Sequence, residues 1–276
     1  MLKNIAPRID TLGEGPSWDA GRGRLYWVDI PARRFHYMDW ESGKISTVET
    51  DDIMTSLYPD GRGGFMGTTG DSFIRMDPEA GSVSTLAKIH ITGQNVRFND
   101  GKCDSHGNYW AGTMDIGERE KSGKLYVLDS HGEVRVLLED LIISNGLCWD
   151  TEKKLFYHID TPKRKIDVYD YSPEKLEIWN RRTAVDFGVL PGNPDGMTMD
   201  SGGYLWVAHW GGGCISQWDP ENGERIRSIR IPAKNVTSCA FGGMDMDKLF
   251  VTTAKASGNN VGDDMGGSVF VMDDHF

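Results

Sequence analysis

Hydrophobic and polar residues alternate along short segments of this chain, a pattern typical of β-strands that bury one face. Residues 24–28 (RLYWV) and 154–158 (KLFYH) are examples, and turn sequences rich in Asp, Asn and Gly separate such segments. No stretch longer than about ten residues keeps a helical period. The pattern therefore predicts an all-β protein.

The same arrangement of strand and turn recurs six times. Each copy contains an apolar residue or two, a turn that begins with Asp or Asn and contains Gly, an aromatic-rich strand, and a second strand and turn. The turns of the six copies start at Asp19, Asp60, Asp104, Asp150, Asp200 and, in the diverged last copy, Gly242. Their spacings of 41, 44, 46, 50 and 42 residues fall in the range of propeller blades.

Six repeats of this length predict a six-bladed β-propeller, with four strands in each blade around a central channel. Residues 1–10 precede the first repeat, and the last repeat ends at Phe276. We therefore expect the N-terminal strand to complete the last blade, which would close the ring and protect two sheet edges. Residues 1–276 are expected to form one propeller domain.

One position of the repeat is polar in every copy. The residues five places before each turn are Glu14, Thr55, Asn99, Asn145, Asp195 and Thr237. In a propeller the equivalent position of each innermost strand lies at one height around the axis, so these six side chains are expected to face one another at one mouth of the channel.

Glu14, Asn145 and Asp195 are the candidate metal ligands within this ring. Two carboxylates in a desolvated funnel repel each other unless they share a cation or a proton, and ligands that are all oxygen favour a hard ion. We expect one divalent cation, Ca²⁺ before Mg²⁺, Mn²⁺ or Zn²⁺. The simpler interpretation is that these residues only hydrogen-bond turns, as Asp and Asn often do. That interpretation explains each residue but not their shared register.

The third repeat adds the sequence RFNDGK. Arg97 and Asn99 are two residues apart, so on an extended strand their side chains point the same way. A fixed cation and an amide beside a metal suit a polyhydroxylated or carboxylated ligand. The alternative for Arg97 is an ion pair with Asp100 or another acid.

Composition narrows the class of function. Among 276 residues, 30 Lys and Arg face 41 Asp and Glu, giving a net charge of −11 that repels nucleic acid and anionic membrane surfaces. No run is long and apolar enough for a membrane helix, and residues 1–8 lack the apolar core of a secretory signal, so a cytoplasmic location is expected. Nothing indicates an obligatory protein partner.

The four cysteines form no CxxC pair and are expected to be reduced packing residues.

Searches for other catalytic motifs are negative. The chain has no GxSxG, HExxH or GxxxxGK sequence. No two histidines pair at metal-ligand spacing, and His209 alone follows a mouth-facing strand, where it is a candidate ligand contact. The tryptophans fall mainly in repeat cores, where packing between blades is the expected role.

The segments LGEGPSW, RFNDGKCDSHGNYWAGTM, SNGLCWD, YHIDTPKRKIDVYDY and PDGMTMDSGGYLWVA resemble the gluconolactonase, senescence marker protein (regucalcin) and luciferin-regenerating enzyme family. The resemblance spans nearly the whole chain. Members of that family are six-bladed propellers that bind one divalent cation, and many hydrolyse sugar-acid lactones. The resemblance implies that Glu14, Asn145 and Asp195 hold the metal and that Arg97 and Asn99 contact the substrate.

The family often adds an acid from a loop after the GTM sequence. Here that loop reads DIGEREK, and Glu118 and Glu120 are both candidates for contact with substrate. The chain departs from the family at SGNNVGDDMGGS, after the TTAK segment, and at His209-Trp210. Both departures are expected to reshape the mouth, which leaves the identity of the lactone open.

The expected reaction is hydrolysis of a sugar 1,4- or 1,5-lactone to the open aldonic acid, with Lewis-acid help from the metal and Asp195 as general base. A non-enzymatic propeller that uses the cation for binding or regulation is the alternative, and Arg97 with Asn99 favours the enzyme. Hydrolysis of aromatic esters or phosphotriesters would need an apolar mouth, for which the sequence offers only Phe98 and Trp210.

Overall fold

The computed structural model describes residues 1–78, 81–91, 95–256 and 265–273. Within these ranges the chain forms six four-stranded antiparallel sheets arranged as blades in a ring. The predicted six-bladed β-propeller is therefore confirmed. The described residues contain one short helix, the 3-10 helix Thr161–Lys163, and no helix among them is long and apolar enough to cross a membrane.

In each of the first three blades, the strands are arranged in chain order from the innermost strand to the outermost. Blade 1 contains β2 (Gly13–Asp19), β3 (Arg24–Asp29), β4 (Arg34–Asp39) and β5 (Ile45–Glu49). Blade 2 contains β6 (Met54–Pro59), β7 (Phe65–Thr69), β8 (Ser72–Asp77) and β9 (Ser82–Lys88). Blade 3 contains β10 (Val96–Cys103), β11 (Tyr109–Asp115), β12 (Gly123–Leu128) and β13 (Val134–Leu141).

The last three blades have the same order, except for the outermost strand of blade 6. Blade 4 contains β14 (Ser144–Asp150), β15 (Leu155–Asp160), β16 (Lys165–Ser172) and β17 (Glu177–Asp186). Blade 5 contains β18 (Asn193–Met199), β19 (Leu205–Trp210), β20 (Cys214–Trp218) and β21 (Arg225–Arg230). Blade 6 contains β22 (Asn235–Gly242), β23 (Lys248–Ala254), β24 (Val269–Asp273) and β1 (Leu2–Ala6).

The N-terminal strand closes the ring, as predicted. In the antiparallel pair of β1 and β24, Leu2 is opposite Met272 and Lys3 is opposite Val271. The backbone N–H of Asp10 then donates to the carbonyl oxygen of Gly267 at 3.0 Å, beside the start of blade 1. Because the first strand belongs to the last blade, blades 6 and 1 are joined by continuous chain as well as by packing.

The hydrophobic core lies between the blades. Six clusters of buried side chains fill the six spaces, and each cluster combines residues of two neighbouring blades. Trp27, Trp110 and Trp206 are fully buried in three of them, which confirms the packing role expected of these tryptophans. The same expectation is wrong for Trp210, which is 37% exposed. Truncating such a residue to alanine typically costs about 3–5 kcal/mol of folding free energy.

All four cysteines are free thiols, as expected. Cys148 and Cys239 are buried within the clusters between blades, and burial raises the pKa of both thiols to about 12. These two cysteines are packing residues with no tendency to ionise at neutral pH.

Every innermost strand has an irregular register at the polar position of the repeat. The shifts fall between Glu14 and Ser17, Met54 and Ser56, Phe98 and Gly101, Asn145 and Leu147, Pro194 and Met197, and Val236 and Ser238. A bulge interrupts pairing and redirects a side chain out of the regular alternation. The six equivalent positions are therefore set at the same level of the ring by six equivalent irregularities.

Glycine allows the innermost strands to approach each other at these bulges. A Cβ atom on Gly146 would lie 2.7 Å from the carbonyl oxygen of Asp195, so blades 4 and 5 meet there through backbone. Gly15 has a φ of 52°, in the left-handed region that favours glycine. Close approach at this level brings the candidate ligands of different blades towards one point.

Candidate metal and substrate site

A cavity of about 240 Å³ opens at one mouth of the channel. Its lining comes from blades 1, 3, 4 and 5 and from the loops beside them. The lining residues are Leu12, Glu14, Arg97, Asn99, Met114, Glu118, Ile143, Asn145, Thr161, Pro162, Asn193, Asp195 and Trp210. The three candidate metal ligands, the Arg97–Asn99 pair and one acid of the loop after β11 thus share one cavity.

Two members of the polar ring do not reach this cavity, so the expectation that all six side chains face one another is wrong for Thr55 and Thr237. The Thr55 hydroxyl pairs with the Thr68 hydroxyl at 2.8 Å. The Thr237 hydroxyl donates to the carbonyl oxygen of Gly13 at 2.6 Å. The partner of Thr55 lies in its own blade 2 and the partner of Thr237 lies on the neighbouring blade 1, and neither threonine lines the cavity.

Glu14 and Asp195 are the acids at the base of the cavity. Burial, with the negative charge of Asp100 beside it, raises the pKa of Glu14 from 4.5 to about 8. Burial also raises the pKa of Asp195 well above its ordinary value, and the charges of Glu14 and Asp100 act in the same direction. Asp195 Oδ1 is buried and has no hydrogen-bond partner among the described residues. Without a positive charge between them, these carboxylates cannot both ionise readily at neutral pH.

Asn145 is held by a residue that sequence reasoning did not identify. Its Nδ2 donates to the hydroxyl of Thr161 at 3.1 Å, and that hydroxyl donates to the carbonyl oxygen of Pro194 at 2.9 Å. Thr161 lies in the 3-10 helix, where Pro162 favours the helical start. With the amide nitrogen engaged, the oxygen of Asn145 is the atom left for a cation. The only sequence signal for this contact was the IDTPK turn.

The donor set fits a hard dication. The carboxylates of Glu14 and Asp195 lie in the same cavity as the amide of Asn145, and Asp195 Oδ1 is buried without a hydrogen-bond partner among the described residues. Oxygen donors of this kind suit Ca²⁺ or Mg²⁺ more than a soft metal.

Asp100 is a third acid near this site, and sequence reasoning considered it only as a partner for Arg97. Burial raises the pKa of Asp100, while the charge of Lys102 lowers it. Lys102 also donates from Nζ to the carbonyl oxygen of Met197 at 3.0 Å, which fixes its ammonium inside the ring. Both residues belong to the RFNDGK sequence, so the motif supplies further charged groups near the cavity in addition to Arg97, which lines it.

Arg97 and Asn99 point into the cavity together. Arg97 Nη1 donates to Asn99 Oδ1 at 3.0 Å and to the carbonyl oxygen of Phe98 at 2.8 Å. No ion pair joins Arg97 to Asp100 among the described residues, so the simpler interpretation of Arg97 does not account for its position. Burial lowers the pKa of Arg97, and the charges of Glu14, Glu118 and Asp195 oppose that shift.

The two candidate acids of the loop after β11 differ in their relation to the cavity. Glu118 has a φ of 59° and lines the cavity. Glu120 is not among the lining residues, and its backbone N–H donates to Asp115 Oδ2 at 3.0 Å. The geometry therefore favours Glu118 over Glu120 as the acid that faces a ligand.

The rim of the cavity is more apolar than the sequence indicated. Leu12, Met114, Ile143, Pro162 and Trp210 all line it, and Trp210 is 37% exposed. Phe98, in contrast, is buried in the core and meets the ring of Phe73 edge-on at 5.1 Å. Most of the rim comes from loops and strand ends that sequence reasoning did not single out. Residues 257–264 of the SGNNVGDDMGGS segment lie outside the described residues.

His209 does not contact the cavity, so its candidate role as a ligand contact is wrong. Its ring lies between the carbonyl oxygen of Pro191 at 3.0 Å and the hydroxyl of Ser216 at 2.6 Å, and burial lowers its pKa. The histidine supports the strand end that carries Trp210.

A second acidic cluster, Asp10, Asp29 and His36, is buried where the ring closes. Asp10 Oδ2 accepts a hydrogen bond from Trp27 at 3.0 Å, and Asp10 Oδ1 lies 3.0 Å from His36 Nε2. Asp29 accepts backbone N–H groups of the β1–β2 connection and pairs with Arg34 at 2.8 Å. These internal contacts give the cluster a structural role in holding that connection.

Comparison with known proteins agrees with this architecture and confirms the resemblance. Residues 12–255 match the SMP-30/Gluconolactonase/LRE-like region. The chain is 38% identical over 243 residues to a Bacillus subtilis protein provisionally named sugar lactone lactonase YvrE, covering 88% of this chain and 83% of that protein. It is 36% identical over 260 residues to regucalcin of Oryctolagus cuniculus, covering 92% and 87%.

A solved structure of luciferin-regenerating enzyme superposes with a TM-score of 0.90 at 31% identity, covering 98% of this chain and 94% of that chain. The likeness in sequence and in fold extends over all six blades. The chain belongs to the SMP-30/gluconolactonase/LRE-like family.

Proposed function

We propose that this protein is a divalent-cation-dependent lactonase that hydrolyses a sugar-acid lactone to the open aldonic acid. The observation that carries the proposal is the pairing, within one cavity, of the unpartnered Asp195 Oδ1 with a wall of hydrogen-bonding groups from Arg97, Asn99 and Glu118. The first feature suits a cation, and the second suits a molecule with several hydroxyl groups. A site that only stored a cation would have no use for the second feature.

Glu14, Asn145 and Asp195 would hold the cation. Ca²⁺ is the ion that their oxygen atoms favour most, although Mg²⁺, Mn²⁺ and Zn²⁺ also accept carboxylate ligands. When bound, the dication supplies a Lewis acid that polarises the lactone carbonyl and stabilises negative charge on its oxygen.

Arg97, Asn99 and Glu118 would orient the sugar. The guanidinium of Arg97 donates hydrogen bonds, the carboxylate of Glu118 accepts them, and the amide of Asn99 does both. Because Arg97 and Asn99 are already joined at 3.0 Å, the pair presents a rigid surface to the hydroxyl groups. Holding the sugar in this orientation would place the carbonyl carbon for attack by water and so lower the activation free energy.

Asp195 would act as the general base. Asp195 has two carboxylate oxygens, so one could bind the cation while the other accepts a proton from a water molecule as that water attacks the carbonyl carbon. The same proton can then be given to the ring oxygen as the bond between that oxygen and the carbonyl carbon breaks. The lining of the described cavity includes no serine, cysteine or histidine, which favours direct attack by water over a covalent intermediate.

A second candidate function is hydrolysis of esters with an alkyl or aromatic group. The apolar rim of Leu12, Met114, Ile143, Pro162 and Trp210 supports it, because such a rim removes apolar surface of a ligand from water. The reacting groups would be the same. The two candidates differ in whether the hydroxyl groups of a sugar or the apolar substituent of an ester provide most of the binding free energy.

The test is a pH-indicator assay on protein stripped of metal with a chelator. D-glucono-1,5-lactone, a set of aldono-1,4-lactones and phenyl acetate would be offered with Ca²⁺, Mg²⁺, Mn²⁺ and Zn²⁺ restored in turn. We expect turnover of at least one aldonolactone that depends on the added ion. Absence of aldonolactone turnover with every ion would reject the proposed function, and full activity in the stripped protein would reject the need for a cation.

Two substitutions test the roles of the acids. Asp195→Asn and Glu14→Gln should each lower kcat by at least about 100-fold, since loss of a general base or of a cation ligand typically costs that much. Asp219→Asn, in an exposed turn of blade 5, is the control and should keep wild-type activity. An Asp195→Asn protein with near-normal kcat would exclude Asp195 as the base.

A further inference from the structure

The loop between β11 and β12 carries Glu118 to the cavity in an unfavourable backbone conformation. Residues 116–120 are exposed to solvent, so packing does not hold them. Glu118 itself has a φ of 59°, in the left-handed region that residues with a Cβ atom seldom adopt. Something other than burial must therefore keep this conformation.

Asp115, the last residue of β11, supplies that constraint. Its Oδ2 accepts the backbone N–H groups of Arg119 at 2.9 Å and Glu120 at 3.0 Å. Its carbonyl oxygen accepts the backbone N–H of Glu118 at 2.9 Å. One residue thus bonds three successive N–H groups, beginning at the acid that faces the cavity.

The Asp115 carboxylate is fixed in turn by its surroundings. Its Oδ1 accepts Nδ2 of Asn95 at 2.9 Å, and Asn95 also accepts the backbone N–H of Ile116 at 2.7 Å. Asp115 is only 2% exposed, and the N–H groups of Glu120 and Arg119 hold its pKa below the ordinary value. A Cβ atom on Gly117 would lie 3.1 Å from Asp115 Oδ2, so the loop passes closely over the carboxylate.

We propose that Asp115 is a positioning residue for substrate binding, which acts by holding the loop so that Glu118 faces the cavity. The inference rests on the proposed function, because it assigns Glu118 to a hydroxyl group of the sugar. Asp115 itself is not among the residues that line the cavity. Its loss should therefore affect binding of the lactone more than the chemical step, which Asp195 performs.

The test is a double-mutant cycle with D-glucono-1,5-lactone as substrate. Asp115→Ala and Glu118→Gln should each raise KM about 10-fold while kcat stays within about 3-fold of the wild-type value. The double variant should have the KM of Glu118→Gln alone. Once the Glu118 carboxylate is gone, loss of the residue that positions it should not weaken substrate binding further. Additive effects on KM, or a fall in kcat without a change in KM, would overturn the proposal.

Two further variants separate positioning from general damage to blade 3. In Asp115→Asn, the amide oxygen can accept both N–H groups and Asn95 can rotate its own amide, so KM should return to within about 3-fold of wild type. Asp129→Ala removes an aspartate that accepts N–H groups of His131 and Glu133 in the β12–β13 turn, at the opposite end of the blade. A KM for Asp129→Ala as high as that of Asp115→Ala would also overturn the proposal.

Limited trypsin digestion tests the loop without any activity. Cleavage after Arg119 or Lys121, both exposed, should be at least about 10-fold faster in Asp115→Ala than in wild type or Asp129→Ala. An unchanged cleavage rate would reject the holding role even if the protein is a lactonase. A wild-type protein with no lactonase turnover would reject the proposed function, and the digestion would still decide whether Asp115 holds the loop.

Discussion

Asn99 Nδ2 donates a hydrogen bond to the carbonyl oxygen of Ser144, 2.9 Å away on the neighbouring blade. Ser144 precedes Asn145, a candidate metal ligand, so this bond links the wall that would bind substrate to the residues that would bind the cation. The two parts of the site are therefore mechanically connected through one side chain.

This connection predicts that Asn99→Ala weakens both kinds of binding. We expect KM for the lactone to rise about 10-fold and the Kd of Ca²⁺ to rise about 3-fold to 10-fold, as is common when a residue that orients a metal ligand is lost. Calorimetry with Ca²⁺ and steady-state kinetics measure the two effects. Glu118→Gln is the control, because it should raise KM with no change in Kd. Equal Ca²⁺ affinity in Asn99→Ala and wild type would contradict the link.

Thr161→Val should weaken cation binding through Asn145. Valine has the same shape as threonine but cannot accept Nδ2 of Asn145 or donate to Pro194, so the amide loses its fixed orientation. We expect the Kd of Ca²⁺ to rise about 10-fold, within the range found for residues that support a metal ligand. Thr183→Val, on an exposed strand of the same blade, should bind Ca²⁺ as wild type does. A normal Kd in Thr161→Val would show that Asn145 is positioned by other contacts.

Stability of the metal-free protein should fall as pH rises towards about 8. The folded state raises the pKa of Glu14 from 4.5 to about 8, so between these values the folded protein holds a proton that the unfolded chain releases. The free energy of unfolding therefore decreases with rising pH across this window. Thermal scans of the stripped protein should show Tm falling from pH 6 to pH 8.5.

Two samples serve as controls for this pH effect. Glu14→Gln lacks the titrating group and should show a shallower slope of Tm against pH than the wild type. Saturating Ca²⁺ should flatten the slope in the wild type, because the cation keeps these carboxylates ionised in the folded state, as they already are in the unfolded chain across this pH window. Identical slopes in stripped wild type and Glu14→Gln would contradict the assignment of this titration to Glu14.

Trp210→Ala should reduce affinity for the substrate more than turnover. The side chain is 37% exposed at the rim, where its ring can cover the apolar face of a ligand. Burial of part of an aromatic surface is worth about 1–2 kcal/mol, so KM should rise about 10-fold. Trp179→Ala, which removes an exposed tryptophan from the outermost strand of blade 4, is the matched control. A larger effect on phenyl acetate than on the aldonolactone would favour the ester candidate.

The sixfold repeat made two features predictable from sequence: the ring of blades and the polar position five residues before each turn. Because each blade has the same strand order and the same bulge, counting five residues back from each turn identified Glu14, Asn145 and Asp195 as neighbours, although they belong to different blades. The same count predicted six side chains around one point, but only four of them line the cavity. Thr55 and Thr237 do not line the cavity, and their hydroxyls are hydrogen-bonded to other protein groups.

The rest of the site depends on segments that the repeat does not govern. Thr161 reaches Asn145 from a 3-10 helix, and the apolar rim combines loops of different lengths. The choice of Glu118 over Glu120 depends on one left-handed residue and on the hydrogen bonds that Asp115 makes. Asp100 was visible in the RFNDGK sequence, but its electrostatic effect on Glu14 and Asp195 depends on how the innermost strands of different blades pack together.

Ring closure by β1 has a consequence for the stage at which a newly made chain forms the proposed cation site. Glu14 emerges from the ribosome in blade 1, Asp195 follows 181 residues later in blade 5, and blade 6 must still fill the gap between them. Contacts between such distant segments form late. We therefore expect ion binding to mark the last stage of biogenesis, after β1 has paired with β24, so that incomplete nascent chains do not bind the cation.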